Sequence, residues 1–282
     1  MERASSAFTP RVLEQWRRHE NLLPGVALLA LAAAGWAYVI RLSSAMGGMD
    51  GPAGAMTPDV GGSLVFLFSW TAMMVAMMIP ATLPLILLYR TVARKRLGPG
   101  RARVGMVALL AGYVVVWAAA GLPVYAYALA ADNVGRFAAV LPAVLLVIGG
   151  AYQFTPLKLS CHARCSNPLF FLMQRWKPGT AGALRLGVLH GFDCLGCCVG
   201  LMAALVALGM MNLALVFTAA LIIFAEKTLP GSHRIASPLG VLMVAAGVTF
   251  LTLTLLGAMD QPGIEKSHPG IEKPGMKGMG SM

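Results

Sequence analysis

The sequence predicts an all-α fold, a polytopic helical membrane protein of about seven transmembrane helices with its N-terminus inside and its C-terminus outside. Three observations lead there. Of 282 residues, 58% are hydrophobic and only 12% are charged, about half the charged share of a soluble domain. Apolar runs of about 20 residues recur along the chain, each long enough to cross a bilayer as a helix. The 22 Lys and Arg are also unevenly placed: seventeen lie in segments 1–21, 90–103, 158–185 and 226–235. Arg41, Arg136, Lys266, Lys273 and Lys277 make up the rest. That asymmetry follows the positive-inside rule and accounts for the net charge of +11. No aromatic-basic interleaving accompanies it, so nucleic acid is excluded as a partner. The lipid bilayer is the expected surrounding, and the bacterial inner membrane the expected location.

Residues 1–21 form a basic cytoplasmic segment ahead of a helical integral domain, 22–258. The first span, Leu22–Ile40, reads as a retained anchor, because its polar lead is longer than the n-region of a signal peptide. The second, Ser63–Tyr89, should break at Pro80 and Pro84, which cannot donate to a helical carbonyl. Val104–Ala130 and Phe137–Leu157 are the third and fourth. His190–Leu208 and Leu213–Leu229 are the fifth and sixth, joined by "GMMN" (209–212), and Ala236–Ala258 is the seventh. Two outer segments are glycine-rich and dotted with methionine. Residues 41–62 carry Met46, Met49 and Met56, and the tail, 259–282, repeats "PGIEK" and ends "GMKGMGSM". The tail has too little apolar surface to fold alone and reads as disordered.

Within the fifth span, "HGFDCLGCCVGLM" (190–202) holds three of the five cysteines. At helical spacing His190, Cys194, Cys197, Cys198 and Leu201 share one stripe. Asp193 flanks it. Gly196 and Gly200 form a G-x-x-x-G pair on a neighbouring face, where another helix can approach closely. Upstream, "CHARC" supplies Cys161, His162 and Cys165 in the inside loop after the fourth span. On this topology all five cysteines meet at the cytoplasmic face. Thiolates with or without an imidazole make a soft-metal site. An isolated cysteine is ordinarily a small buried hydrophobe; two clusters with histidine read as metal ligands. Cys194 is expected near a helix N-terminus, where the dipole favours thiolate, while Asp193 and burial oppose it. Glu226 and Lys227, at the inner end of the sixth span, reach the same level, either as an ion pair or as functional groups.

The second span reads "WTAMMVAMMIPATLP" (70–84). Met73, Met77, Pro80 and Pro84 fall on one stripe. A thioether suits Cu(I), although a methionine stripe is more often packing. Met210, Met211, Met276, Met279 and Met282 extend the set outward.

Four stretches carry a family resemblance: "WTAMMVAMMIPAT" (70–82), "YQFTPLKLSCHARCSNPL" (152–169), "GFDCLGCCVGLM" (191–202) and "GMMNLALVFTAALIIFAEKTLP" (209–230). In that order they resemble the bacterial family of predicted metal-binding integral membrane proteins, domain of unknown function 2182. The resemblance implies metal binding at Cys161, Cys165, Cys194, Cys197 and Cys198, with His162 and Asp193 beside them.

The leading reading is a membrane protein that binds a soft metal, Cu(I) above all, for transport, sequestration or delivery to a partner such as a metallochaperone. Outer methionines collect the ion, Met73 and Met77 relay it, and the cysteines hold it. Zn2+ fits the Cys/His cluster but not the methionines. A second reading is thiol-disulfide exchange at the C-x-x-C of 194–197. A third is a scaffold subunit docking a partner helix on Gly196 and Gly200. Nothing resembles a nucleotide-binding loop. His19, His233 and His268 stand alone, so hydrolytic enzyme chemistry has no constellation to use.

Overall fold

In the computed structural model the described residues are 19–45, 60–133, 140–210, 212–229 and 233–259. They form helices throughout: α1 (His19–Ala45), α2 (Val60–Leu97), α3 (Pro99–Asn133), α4 (Val140–Tyr152), α5 (Pro156–Cys165), α6 (Pro168–Arg175), α7 (Thr180–Leu208), α8 (Leu213–Thr228) and α9 (His233–Met259). The basic segment 1–18, most of the methionine-bearing outer loop, Met211 and the tail from 260 lie outside the described residues.

Sequence chemistry sets the element ends. Gly98 closes α2 with φ +86°, a backbone region that favours glycine, and Pro99 starts α3 at once. Gly209 ends α7 in the same way, with φ +109°. Asn212 then caps α8, its side chain accepting from the amides of Ala214 and Leu215.

Five helices are long and apolar enough to cross a membrane: α1, α2, α3, α7 and α9. The expected fourth span departs from a rod. Its helix stops at Tyr152, turns by 69°, and resumes as α5. Pro156 causes the break, because the residue before proline is pushed out of the α region. That residue, Thr155, is extended at φ −76°, ψ 146° and caps α5 by accepting from the Lys158 amide. The expected sixth span, α8, has 16 residues, about 24 Å at the helical rise against a hydrocarbon core of about 30 Å. Among the described residues five helices, or six with the bent pair counted as one, are long and apolar enough to span, where the sequence predicts about seven.

Two further expectations are corrected. α2 does not break at its prolines; one helix runs through both. α1 packs against it closely, so that a Cβ on Gly35 would sit 3.0 Å from that of Ala76. Neighbouring helices and hydroxyl side chains often re-satisfy proline-freed backbone groups in membranes. The fifth span does not begin at His190. α7 starts ten residues earlier, at Thr180, so Cys194 is mid-helix, beyond the first turn where the dipole acts.

α7 is the hub. It crosses α3 so closely that a Cβ on Gly187 would fall on the Leu109 carbonyl, and one on Gly112 would fall on that of Leu184. On the α4 side, a Cβ on Gly200 would lie 2.6 Å from the Gly149 carbonyl. α4 in turn lies between α7 and α9, with Gly150 against Gly240. Small residues at these crossings let the backbones touch, as membrane packing requires.

Candidate metal centre

The largest core of the molecule contains 20 buried residues, and 11 are methionine or cysteine. The methionines are Met73, Met74, Met77, Met78, Met202 and Met210; the cysteines are all five. α2 presents the Met73–Met78 group, α7 the cysteine stripe and Met202, and α5 the pair Cys161 and Cys165. α5 reaches this core only because the bend at Thr155 lays it against α7. Gly196 leaves room for the Cys161 thiol, since a Cβ there would lie 2.7 Å from Cys161 Sγ. Tyr152 locks the junction by donating to the Gly196 carbonyl at 2.6 Å. The Gly196–Gly200 face is therefore occupied by α4 and α5 of the same chain, which corrects the expectation that a partner helix docks there.

The cysteine stripe is buried as its periodicity implies: His190, Cys194, Cys197, Cys198 and Leu201 are each at most 4% exposed. All five cysteines are free thiols. Cys197 and Cys198 each turn back to donate to the Cys194 carbonyl, both at 3.0 Å. Cys194 Sγ instead meets groups from other helices, Lys227 and Tyr113 among them. Lys227 Nζ of α8 donates to it at 2.8 Å, and the Tyr113 hydroxyl of α3 lies at 3.1 Å. Lys227 Nζ also lies 3.6 Å from Met78 Sδ. One ammonium thus links the methionine group of α2 to the central cysteine of α7.

Glu226, the residue before Lys227, faces elsewhere. It pairs with Lys158 of α5 at 3.2 Å, with both side chains almost fully buried. Lys158 also donates to the Gln153 side chain at the α4–α5 break. The two neighbours are therefore not an ion pair with one another. Consecutive helical positions point about 100° apart, so Glu226 anchors α5 while Lys227 reaches the sulfur core.

Asp193 is consumed by two guanidinium groups, Arg164 Nε at 2.8 Å and Arg175 Nη1 at 3.0 Å. Holding α5, α6 and α7 together in this way leaves its oxygens committed to ion pairs. His190 stacks on Tyr113 with ring centroids 5.8 Å apart and meets Phe171 edge-on at 5.1 Å. Its buried Nδ1 has no hydrogen-bond partner. His162 lies near the C-terminal end of α5 and is half-exposed, apart from the buried face that carries Cys161 and Cys165. Met73 and Met77 are buried in the sulfur core, as are Met74 and Met78 from the adjoining stripe. Periodicity alone missed Tyr113, Arg164 and Arg175, for which the sequence carries no local signal.

Among the described residues no three His, Cys, Asp or Glu side chains are grouped so as to hold one metal ion. The donor set fits a low-coordinate soft ion better than a tetrahedral one: it is rich in thiol and thioether, with its carboxylates spent on ion pairs. Thiol and thioether together are soft donors of the kind that suit Cu(I).

The family described as PpoB2, copper chaperone, matches residues 67–250, well over half of the chain and nearly all of the sulfur core. This matched description is copper-related, where the resemblance implied metal binding without naming the metal, and it differs from the family name anticipated there. No curated protein matches the chain, and no solved structure does.

Proposed function

This chain belongs to the copper chaperone family PpoB2, and from that premise we propose that it is a multi-pass protein of the bacterial inner membrane that holds Cu(I) in a sulfur core and delivers it to a partner. One observation carries the reading: 11 of 20 buried residues in the largest core are methionine or cysteine, in a chain with 18 methionines and five cysteines among 282 residues. Thioether and thiolate are the donors that select Cu(I).

In this reading Cys194 is the central ligand. One further thiolate joins it at a time, either Cys197 or Cys198, which gives up its bond to the Cys194 carbonyl, or Cys161 or Cys165 from α5. Met73 and Met77 carry the ion toward them. A Cu(I) held by two thiolates carries one net negative charge, costly in a low-dielectric core. Lys227, already against Cys194 Sγ, supplies the balancing cation. Asp193 and Glu226 act on geometry, by fixing α5 against α7 and α8. Full burial of Cys194 counts against thiol-disulfide exchange, which needs access for an attacking thiolate.

The test is the copper that the purified chain retains against a strong competing chelator after anaerobic Cu(I) loading, beside a variant with all five cysteines changed to serine. One tightly held Cu(I) per chain, lost in the variant, is the expected result. Equal copper in both would overturn the assignment to the cysteines.

A further inference from the structure

Among the described residues a cavity at the surface borders the sulfur core. It opens between the C-terminal part of α1, the N-terminal half of α2 and the turn from α7 into α8, and Met73 and Met210 both line it. The two come from elements far apart in sequence, and each is buried, at 6% and 5% exposure. The rest of the wall includes Phe66, Trp70, Ser43 and Ser69 and no ionisable side chain. Hard cations and Zn2+ would find neither carboxylate nor imidazole there. A soft monovalent cation would find two thioethers and an indole, whose ring face attracts cations. Trp70 is held in place by donating from Nε1 to the Trp117 carbonyl at 2.9 Å. The cavity also lies at the end of the bundle away from the α2 terminus that bears Arg94, Lys95 and Arg96. Among the lining residues themselves a cation meets no positive charge.

We propose that this cavity is a Cu(I) docking site, with the thioethers of Met73 and Met210 as its ligands, where the ion is first captured before passing inward along α2. The proposal rests on the copper reading above and adds a second, weaker site that the cysteines do not form. Passage inward is ligand exchange: each thioether released is replaced by the next sulfur donor, with no change in copper oxidation state. Met77, one turn along α2 from Met73, and Cys197 belong to the same core, which supplies sulfur donors between the two sites.

Four full-length proteins in detergent test it under reducing, anaerobic conditions: wild type, the five-cysteine-to-serine variant, Met73→Leu/Met210→Leu, and all seven changes together. Leucine keeps volume and apolarity, so the methionine changes should cost little stability. The five-serine variant is expected to retain one Cu(I) at reduced affinity in competition with a chelator, and the sevenfold variant to lose it. The double-leucine variant should hold Cu(I) as tightly as wild type at equilibrium but load about tenfold more slowly, a rate deficit worth about 1.4 kcal/mol. Ag(I), a redox-inert substitute, should shift the methyl NMR signals of Met73 and Met210 in the five-serine variant. Residual binding that is the same with and without Met73 and Met210, or absent from the five-serine variant altogether, would overturn the docking site and leave the cysteine site standing. Loss of tight binding in wild type, with the methionine-dependent ion retained, would overturn the cysteine site and keep this one.

Discussion

Two cores lie end to end along the same helices, and their chemistry differs at one peptide bond. On α2 the sulfur core ends at Met78, and at Ile79 a second core begins, continuing through Leu83, Leu85, Ile86, Leu87, Leu88 and Tyr89. On α7 the boundary falls between Leu186 and Cys194. The second core has 16 buried residues, among them Leu109, Phe171 and Leu186, and none is methionine or cysteine. Both cores are apolar, close-packed and helical. If methionine and cysteine served here only as adaptable filler, both cores would use them. The five cysteines fall in the sulfur core alone and most buried methionines join them, with Met243 in a third, smaller core and Met106 packed against the second; this concentration supports the ligand chemistry proposed above.

The largest effects should separate the two cores by readout. Changing the five cysteines to serine should weaken Cu(I) binding by at least about 100-fold, beyond the usual cost of losing a metal's outer-shell partner, as measured by chelator competition. Leu186→Ala should do the opposite. It should cost about 2–5 kcal/mol of stability, seen as a lower unfolding midpoint, with copper per folded chain unchanged. Copper loss in Leu186→Ala matching that of the serine variant would erase the distinction.

The buried pair that carries α5 to the sulfur core comes next. Lys158→Met removes the ammonium paired with the buried Glu226, at a cost of about 3–5 kcal/mol; the double change Lys158→Met/Glu226→Leu should recover much of it, by thermal unfolding. Lys227→Met removes the cation at Cys194 and should lower Cu(I) affinity about 10- to 100-fold with a smaller change in the unfolding midpoint. If Lys227→Met leaves the affinity unchanged, Lys227 has no part in balancing the bound ion.

Smaller effects sharpen the boundary itself. Gly196→Ala forces Cys161 to move and should cost about 1–3 kcal/mol by overpacking, with copper affinity falling alongside. Met77→Leu should cost less than about 1.5 kcal/mol yet slow copper loading; a normal loading rate would remove Met77 from the route. Asp193→Asn should be the mildest. Its arginine partners are partly exposed to solvent, which limits the pairs to about 1 kcal/mol in total, and Cu(I) affinity should hold.

Several features were legible from residue order alone, because they depend on neighbours within a turn or two. Hydrophobic length announced helices fit for a membrane. The i, i+3, i+4 spacing put His190, Cys194, Cys197 and Cys198 on one stripe, and it is buried as a stripe. The glycine pair at 196 and 200 announced a close helix crossing, although not that α4 and α5 of the same chain would fill it. The tertiary structure decided the rest. Where α7 starts set the depth of Cys194, and the turn forced by Pro156 placed Cys161 and Cys165 against it. Lys227 is 33 residues from Cys194 and 149 from Met78, and Met73 and Met210 share a cavity from separate helices. Periodicity states which side chains share a face; which faces then meet, and at what register, is set by glycine crossings and helix lengths that only the packed chain resolves.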